Sequence, residues 1–214
     1  MLSRRLMILA TLAGSLFLAA ARPAHAEDSG NPKQFVSNLA DDAITLMTSS
    51  GLNDAQRNDQ FRKLFVGSVD LPVVGKLVLA RYWRIATPQQ QQEFLKLFED
   101  MLVLTWSNRF KDAAGNVTFH VVDVRPDVDQ GVLVDSQILR EKQQPIPLIW
   151  RLRQTDGNWH IIDLIVEGTS MVFTYREEYA SVITQNGGKV EGLLNAMRRK
   201  VAQLSQSRPG AAAP

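Results

Sequence analysis

The sequence predicts an α+β fold: a four-stranded antiparallel meander with helices covering one of its faces. Two observations carry this. Between Gln34 and Thr105 the apolar residues recur at helical spacing, and after Gly115 the period drops to two with turn residues between the runs. Past Gly168 the helical spacing returns, so helices, strands and helices are segregated along the chain rather than alternating as in a parallel sheet.

The chain has 214 residues, enough for one domain. Its start reads as an export signal: Arg4 and Arg5 precede the apolar stretch Leu6 to Ala21, and Ala24-His25-Ala26 supplies small residues for cleavage before Glu27. Residues 1–26 are therefore expected to be a cleaved signal peptide, 27–206 a single domain and 207–214 a disordered low-complexity tail. Both the general secretory and the twin-arginine routes stay open. The leader holds Arg4, Arg5, Arg22 and no acid, so removing it turns 24 Lys+Arg against 22 Asp+Glu into a slight net negative charge. That excludes a general nucleic-acid binder, which needs excess positive charge. The absence of cysteine (Cys 0) excludes disulfides, thiolate metal sites, a cysteine nucleophile and a lipidated anchor. No later segment reaches transmembrane length without charges.

The first helix follows Pro32, with Phe35, Val36, Leu39, Ala43 and Leu46 at helical spacing, and Ser49-Ser50-Gly51 ends it. Asn53 or Asp54 caps a second helix carrying Phe61, Leu64 and Phe65. Asp70-Leu71-Pro72 starts a third, with proline in its first turn, extending through Val74, Leu77 and Val78 to Tyr82 and Trp83. Thr87-Pro88 opens the longest helix, with Gln90 at the capping-box position and a stripe through Phe94, Leu97, Phe98, Met101 and Leu102. Tyr175 to Gln185 and Val190 to Leu204 are two further helices around the break Asn186-Gly187-Gly188.

The strands start at Val117, Val132, Ile146 and Trp159. Asp127–Gly131, Glu141–Pro145 and Thr155-Asp156-Gly157-Asn158 turn the chain between them, the last a strong hairpin signal. Alternation puts Ile146, Leu148, Trp150 and Leu152 on one face and Pro147, Ile149, Arg151 and Arg153 on the other. On the following strand it puts Ile162, Leu164 and Val166 opposite Trp159, Ile161, Asp163 and Glu167. The first set of each strand is expected under the helices. Those helices bring Phe35, Phe61, Phe65, Phe94, Phe98 and Phe110, a supply that either fills a core or lines a cavity; pattern leaves both open.

Catalytic chemistry finds no support. His120 and His160 each stand alone on a strand-like run, outside any metal-ligand spacing, and read as surface or structural residues. Asp127-Val128-Asp129-Gln130-Gly131 lacks the later oxygen ligands of a calcium loop and reads as a turn. Asp163 and Glu167 are better explained as cross-strand ion partners of Arg151 and Arg153 than as a carboxylate pair. Ser170 lacks the second glycine of a nucleophile elbow. No enzyme activity, cofactor or metal is expected.

A set of motifs spread over nearly the whole chain after the leader resembles the MlaC family of periplasmic phospholipid-transport proteins, also called toluene-tolerance auxiliary components. They are Phe65 to Asp70, Leu77 to Trp83, Ala86-Thr87-Pro88-Gln89-Gln90 with Phe94, Pro145-Ile146 leading to Trp150-Arg151-Leu152-Arg153, Gly157 to Asp163, and Glu167 to Met171 with Tyr175-Arg176. Asp70-Leu71-Pro72 and Arg81-Tyr82-Trp83-Arg84 are similar to the family's hopanoid-biosynthesis-associated branch. The chain departs from the common pattern at Ala80, where glycine is usual, at Thr105-Trp106, where a tyrosine is, and at Thr169, where valine is.

The resemblance implies a cystatin-like cone enclosing an apolar lipid cavity. It implies a soluble periplasmic carrier that holds phospholipid acyl chains and shuttles lipid between an inner-membrane ABC transporter complex and an outer-membrane lipoprotein complex, a role in outer-membrane lipid asymmetry. A hopanoid or other terpenoid lipid is the alternative ligand. The expected lipid-binding residues are Ile146, Leu148, Trp150, Leu152, Ile162, Leu164, Val166 and Thr169 from the sheet, with Phe94, Phe98, Met101 and Trp106 from the long helix. Lys76, Arg81 and Arg84 are candidate docking residues.

Overall fold

A computed structural model describes residues 30–49, 51–113 and 117–206. The expected signal peptide and C-terminal tail lie outside the described residues. The helices are α1 (Pro32–Thr48), α2 (Asp54–Ser68), α3 (Leu71–Leu79), α4 (Pro88–Ala113), α5 (Met171–Gln185) and α6 (Val190–Gln206). The strands β1 (Val117–Pro126), β2 (Val132–Arg140), β3 (Ile146–Thr155), β4 (Asn158–Val166) and β5 (Thr169–Ser170) pair antiparallel in chain order. The protein is α+β.

Helix starts sit where local chemistry puts them. Asn53 accepts from the Gln56 N–H at 2.9 Å while the Gln56 side chain accepts from the Asn53 N–H at 3.0 Å, a reciprocal capping box. Thr87 and Gln90 repeat the arrangement at α4, and Asp70 caps α3 through the Val73 N–H at 3.1 Å. The third helix ends earlier than expected: it stops at Leu79 and continues through Tyr82 and Trp83 only as a 3₁₀ turn over Ala80–Arg84. Ala80 causes the break, with φ 47° and ψ −117°, a conformation in which a Cβ is strained and glycine is not. This is the position where the resembled family commonly has glycine. Ala80→Gly is therefore expected to raise the stability by about 1 kcal/mol, the relieved strain exceeding the entropy cost of glycine. A urea midpoint below that of the unchanged protein would contradict it.

The sheet has five strands rather than four. Glu167 (φ 49°) and Gly168 (φ 83°) make a tight turn of the kind Asp156 (φ 51°) and Gly157 (φ 80°) make between β3 and β4, and the chain folds back as β5 on the end of β4. Further along the same edge, Val69 pairs with Ile161 and the Asp70 N–H donates to the Ile161 carbonyl at 3.0 Å.

Register corrects the strand parity. Leu148 faces Val166 and Trp150 faces Leu164, as alternation requires, but Arg151 pairs with Asp163 while Leu152 pairs with Ile161. Ile162 is thus the extra residue of a β-bulge. Beyond it every side chain of β4 changes face, so Trp159 and Ile161, expected on the polar side, join Leu152 on the apolar side. A second bulge at Val122 does the same to β1, bringing Val124 onto the face of Phe119 and Val121.

The apolar interior divides. α1 lays Val36 on Val134, Leu152, Trp159 and Ile161, each fully buried aliphatic side chain contributing about 1.5–3 kcal/mol. α3, α4, α5 and α6 build a second cluster around Phe94, Phe98, Tyr179, Ile183, Leu193 and Leu194. Gly75 permits the close approach of α3 to α4: a Cβ there would lie 2.4 Å from Leu95 Cδ2. Arg198 ties α6 to α4 by donating to Glu93 at 2.7 and 2.8 Å, and Arg62 ties α2 to α4 through Glu99 and Asp100.

Candidate functional site

The candidate site is one face of the sheet. Pairing of Phe119 with Ile138, Ile138 with Ile146, Leu148 with Val166 and Trp150 with Leu164 makes these side chains contiguous across four strands. The opposite face carries His120, Asp123, Arg125, Asp135, Arg151 and Arg153. Burial along the apolar face is graded. Under α1, Val134 and Leu152 are 0 % exposed, whereas Phe119, Ile138, Ile146, Trp150, Leu164 and Val166 are only half-buried. These partly buried side chains form one contiguous apolar strip, with Phe119 and Trp150 packed against the cluster under α1, and they make the candidate binding face.

The strip is held rigid. The Trp150 indole N–H donates to Ser136 Oγ at 2.8 Å, and that hydroxyl donates to the Leu148 carbonyl at 3.3 Å. The Phe119 ring meets the indole edge-on, with centroids 6.2 Å apart. Ser136, a polar residue buried on an apolar face, thereby orients the largest side chain of the strip.

Of the expected lipid-binding residues, Ile146, Leu148, Trp150, Leu152, Leu164 and Val166 share this face. Leu148 and Leu152 are buried in it rather than half-exposed. Ile162 is the bulged residue and Thr169 is exposed on β5. Phe94 and Phe98 stack at 5.5 Å and meet Tyr179 edge-on at 6.0 and 6.1 Å inside the helical cluster, while Met101 and Trp106 pack half-buried at its margin. The Tyr179 hydroxyl has no hydrogen-bond partner among the described residues. Burial, followed by the proximity of Tyr175 and Glu178, pushes this phenol well above its usual range.

Sequence reasoning missed Phe119 and Ile138, whose place on the strip depends on the register of β1 and β2. It also missed that Asp163, buried on the far side of β4, ties that strand to the start of α5. Asp163 accepts from the Ser170 hydroxyl at 2.6 Å and from the Val172 N–H at 3.0 Å, and lies 3.6 Å from Arg151. Ser170 Oγ in turn accepts from the Phe173 N–H and caps α5, which explains why α5 begins at Met171 rather than Tyr175. The expected pairing of Asp163 with Arg151 is present, and the Asp127 to Gly131 turn uses its carboxylates for ion pairs, Asp127 with Arg151 at 2.8 Å and Asp129 with Arg153 at 3.4 Å. Among the described residues no group of three His, Asp or Glu side chains could hold a metal ion.

A separate cleft of about 380 Å³ lies between α1, α2 and the start of β4, walled by Phe35, Leu39, Leu64 and Trp159 with Asp42 and His160 at its polar side. It is at the small end of the range for small-molecule sites. No helix among the described residues is long and apolar enough to cross a membrane.

Comparison with known proteins adds a second line. The MlaC protein family profile matches residues 37–199, from α1 into α6. The toluene tolerance protein ttg2D of Pseudomonas putida is 22 % identical over 150 residues, 70 % of this chain and 69 % of the relative. The intermembrane phospholipid transport system binding protein MlaC of Haemophilus influenzae is 20 % identical over 142 residues, 63 % and 64 % of the two chains. Among solved structures, a phospholipid-binding protein from Ralstonia solanacearum, in complex with a phospholipid, superposes with a TM-score of 0.70 at 25 % identity, covering 81 % of this chain and 98 % of that one. With a family match that runs through helices and sheet alike, the chain belongs to the MlaC family.

Proposed function

We propose that this protein is a periplasmic phospholipid carrier, binding acyl chains against the half-buried face of the sheet and exchanging lipid between an inner-membrane ABC transporter complex and an outer-membrane lipoprotein complex. The observation that supports it most is the rigid apolar strip from Phe119 to Val166, in a family whose relatives include a phospholipid transport binding protein and a structure with bound phospholipid. Exposing two long acyl chains to water costs on the order of 20 kcal/mol at about 0.8 kcal/mol per CH₂. Free lipid monomers therefore scarcely cross an aqueous space. A carrier exchanges bilayer hydrocarbon for protein hydrocarbon, so loading is nearly balanced and docking to either complex can set its direction. No covalent step is required, and Ser136, the buried polar residue of the strip, is engaged in orienting Trp150.

Protein purified without detergent is expected to release phospholipid on organic extraction, read by mass spectrometry. Hopanoid or squalene-like species would favour a terpenoid-lipid binder instead, and repeated absence of lipid would leave the strip as part of a packed core. Intact mass of exported protein is expected to correspond to a chain beginning at Glu27, since Ala24 and Ala26 satisfy signal peptidase. A mass retaining the leader would make the protein membrane-anchored and end the shuttle reading.

A further inference from the structure

We propose that Arg140 binds the phosphodiester of the carried lipid, an assignment that rests on the carrier reading above. Arg140 closes β2, opposite Val117. It stands two residues from Ile138, whose partners are Phe119 and Ile146, so alternation puts it on the apolar face about 7 Å beyond the strip. Among the described strand residues of that face it is the one with a charge.

The other strand arginines mark the contrast. Arg125, Arg151 and Arg153 lie on the opposite face, and each has a carboxylate: Asp135 at 2.8 Å, Asp127 at 2.8 Å and Asp129 at 3.4 Å. The Arg140 Nε, like those of Arg151 and Arg153, is shut off from solvent without a hydrogen bond, but Arg140 is the one of these four strand arginines with no ion pair to any described residue. A guanidinium donor shielded from water and left unsatisfied costs free energy, and an arginine fork matches a phosphate with two parallel N–H···O bonds. A phospholipid carries its phosphate next to the ester-linked chains. With the chains on Phe119, Ile138 and Ile146, that anion falls at the end of the strip where Arg140 stands. A free phosphate ion offers the same oxygen atoms without the chains.

The test compares the full-length protein, stripped of lipid, with Arg140→Met and Arg140→Lys. Each is loaded with phosphatidylglycerol or with diacylglycerol of the same chains, which lacks only the headgroup. Arg140→Met is expected to weaken phosphatidylglycerol binding about tenfold to a hundredfold, the loss of a charge-assisted hydrogen bond, and to leave diacylglycerol binding unchanged. Arg140→Lys, which keeps the charge and loses the fork, is expected to fall between; its selective loss carries the test if the methionine variant does not fold. Equal loss of both lipids, or no loss of either, overturns the assignment. Inorganic phosphate binding the lipid-free protein as tightly as phosphatidylglycerol does, and doing so through Arg140, overturns the headgroup in favour of a free-anion site. Unchanged protein that binds neither lipid overturns the carrier reading itself, an outcome separate from a headgroup-selective failure.

Discussion

Replacing Asp163 with alanine is expected to destabilise the protein by about 3 kcal/mol, a large share of a typical 5–15 kcal/mol total. Asp163 is 5 % exposed and accepts from two donors in the β5–α5 junction, the Ser170 hydroxyl and the Val172 N–H. Its removal leaves both donors without their partner, at about 1–3 kcal/mol for each that is buried. It also frees the Ser170 hydroxyl, which caps α5 through the Phe173 N–H, so the loss spreads into the first turn of that helix. The ion pair contributes less, because Arg151 is 36 % exposed and keeps Asp127. Thermal unfolding should fall by roughly 6–12 °C for a domain of this size. Glu167→Ala, at an exposed turn position, should stay within about 0.5 kcal/mol. A loss at Asp163 no larger than that control would mean that the junction is not held by this carboxylate.

Leu164→Asp is expected to abolish lipid retention in a protein that still unfolds cooperatively. Leu164 is half-buried beside Trp150, and in the lipid-free protein an aspartate there can be hydrated. A carboxylate facing hydrocarbon costs about 2.5–3.5 kcal/mol, roughly a hundredfold in affinity. Leu148 would be the natural choice from alternation alone, but it is 7 % exposed next to the buried Ser136, where a charge tests packing as much as binding. Leu152→Asp supplies the contrast: at 0 % exposure under α1 it buries an unpaired charge and should cost several kcal/mol or prevent folding. Lipid retained by Leu164→Asp would remove the strip from the binding surface, and unfolding of that variant would make Leu164 a core position.

Much of this architecture is written in short stretches of the chain. Asn53 with Gln56, Asp70, and Thr87 with Gln90 start their helices through bonds spanning three residues. Asp156-Gly157 turns β3 into β4 because those residues tolerate positive φ. The alternation of Ile146, Leu148, Trp150 and Leu152 follows from the pleat of a single strand. Such signals need no knowledge of the neighbours, and they were sufficient for the fold class and for most of the apolar face.

Tertiary structure decided the rest, wherever a residue's role depended on a partner distant in sequence or on strand register. Whether Trp159 and Ile161 face the helices depends on one unpaired residue, Ile162, and a bulge is a property of two strands in register rather than of either alone. Asp163 has its role only because β5 folds back and delivers Ser170 and Val172 to it. Ala80 is an ordinary helix former that ends a helix, since packing on both sides of the turn outweighs about 1–3 kcal/mol of backbone strain. Arg140 and Arg151 are the same residue type on adjacent strands, one without a carboxylate on the apolar face and the other between two aspartates; only the pairing of strands separates them, because the energy of a charge is set by what surrounds it.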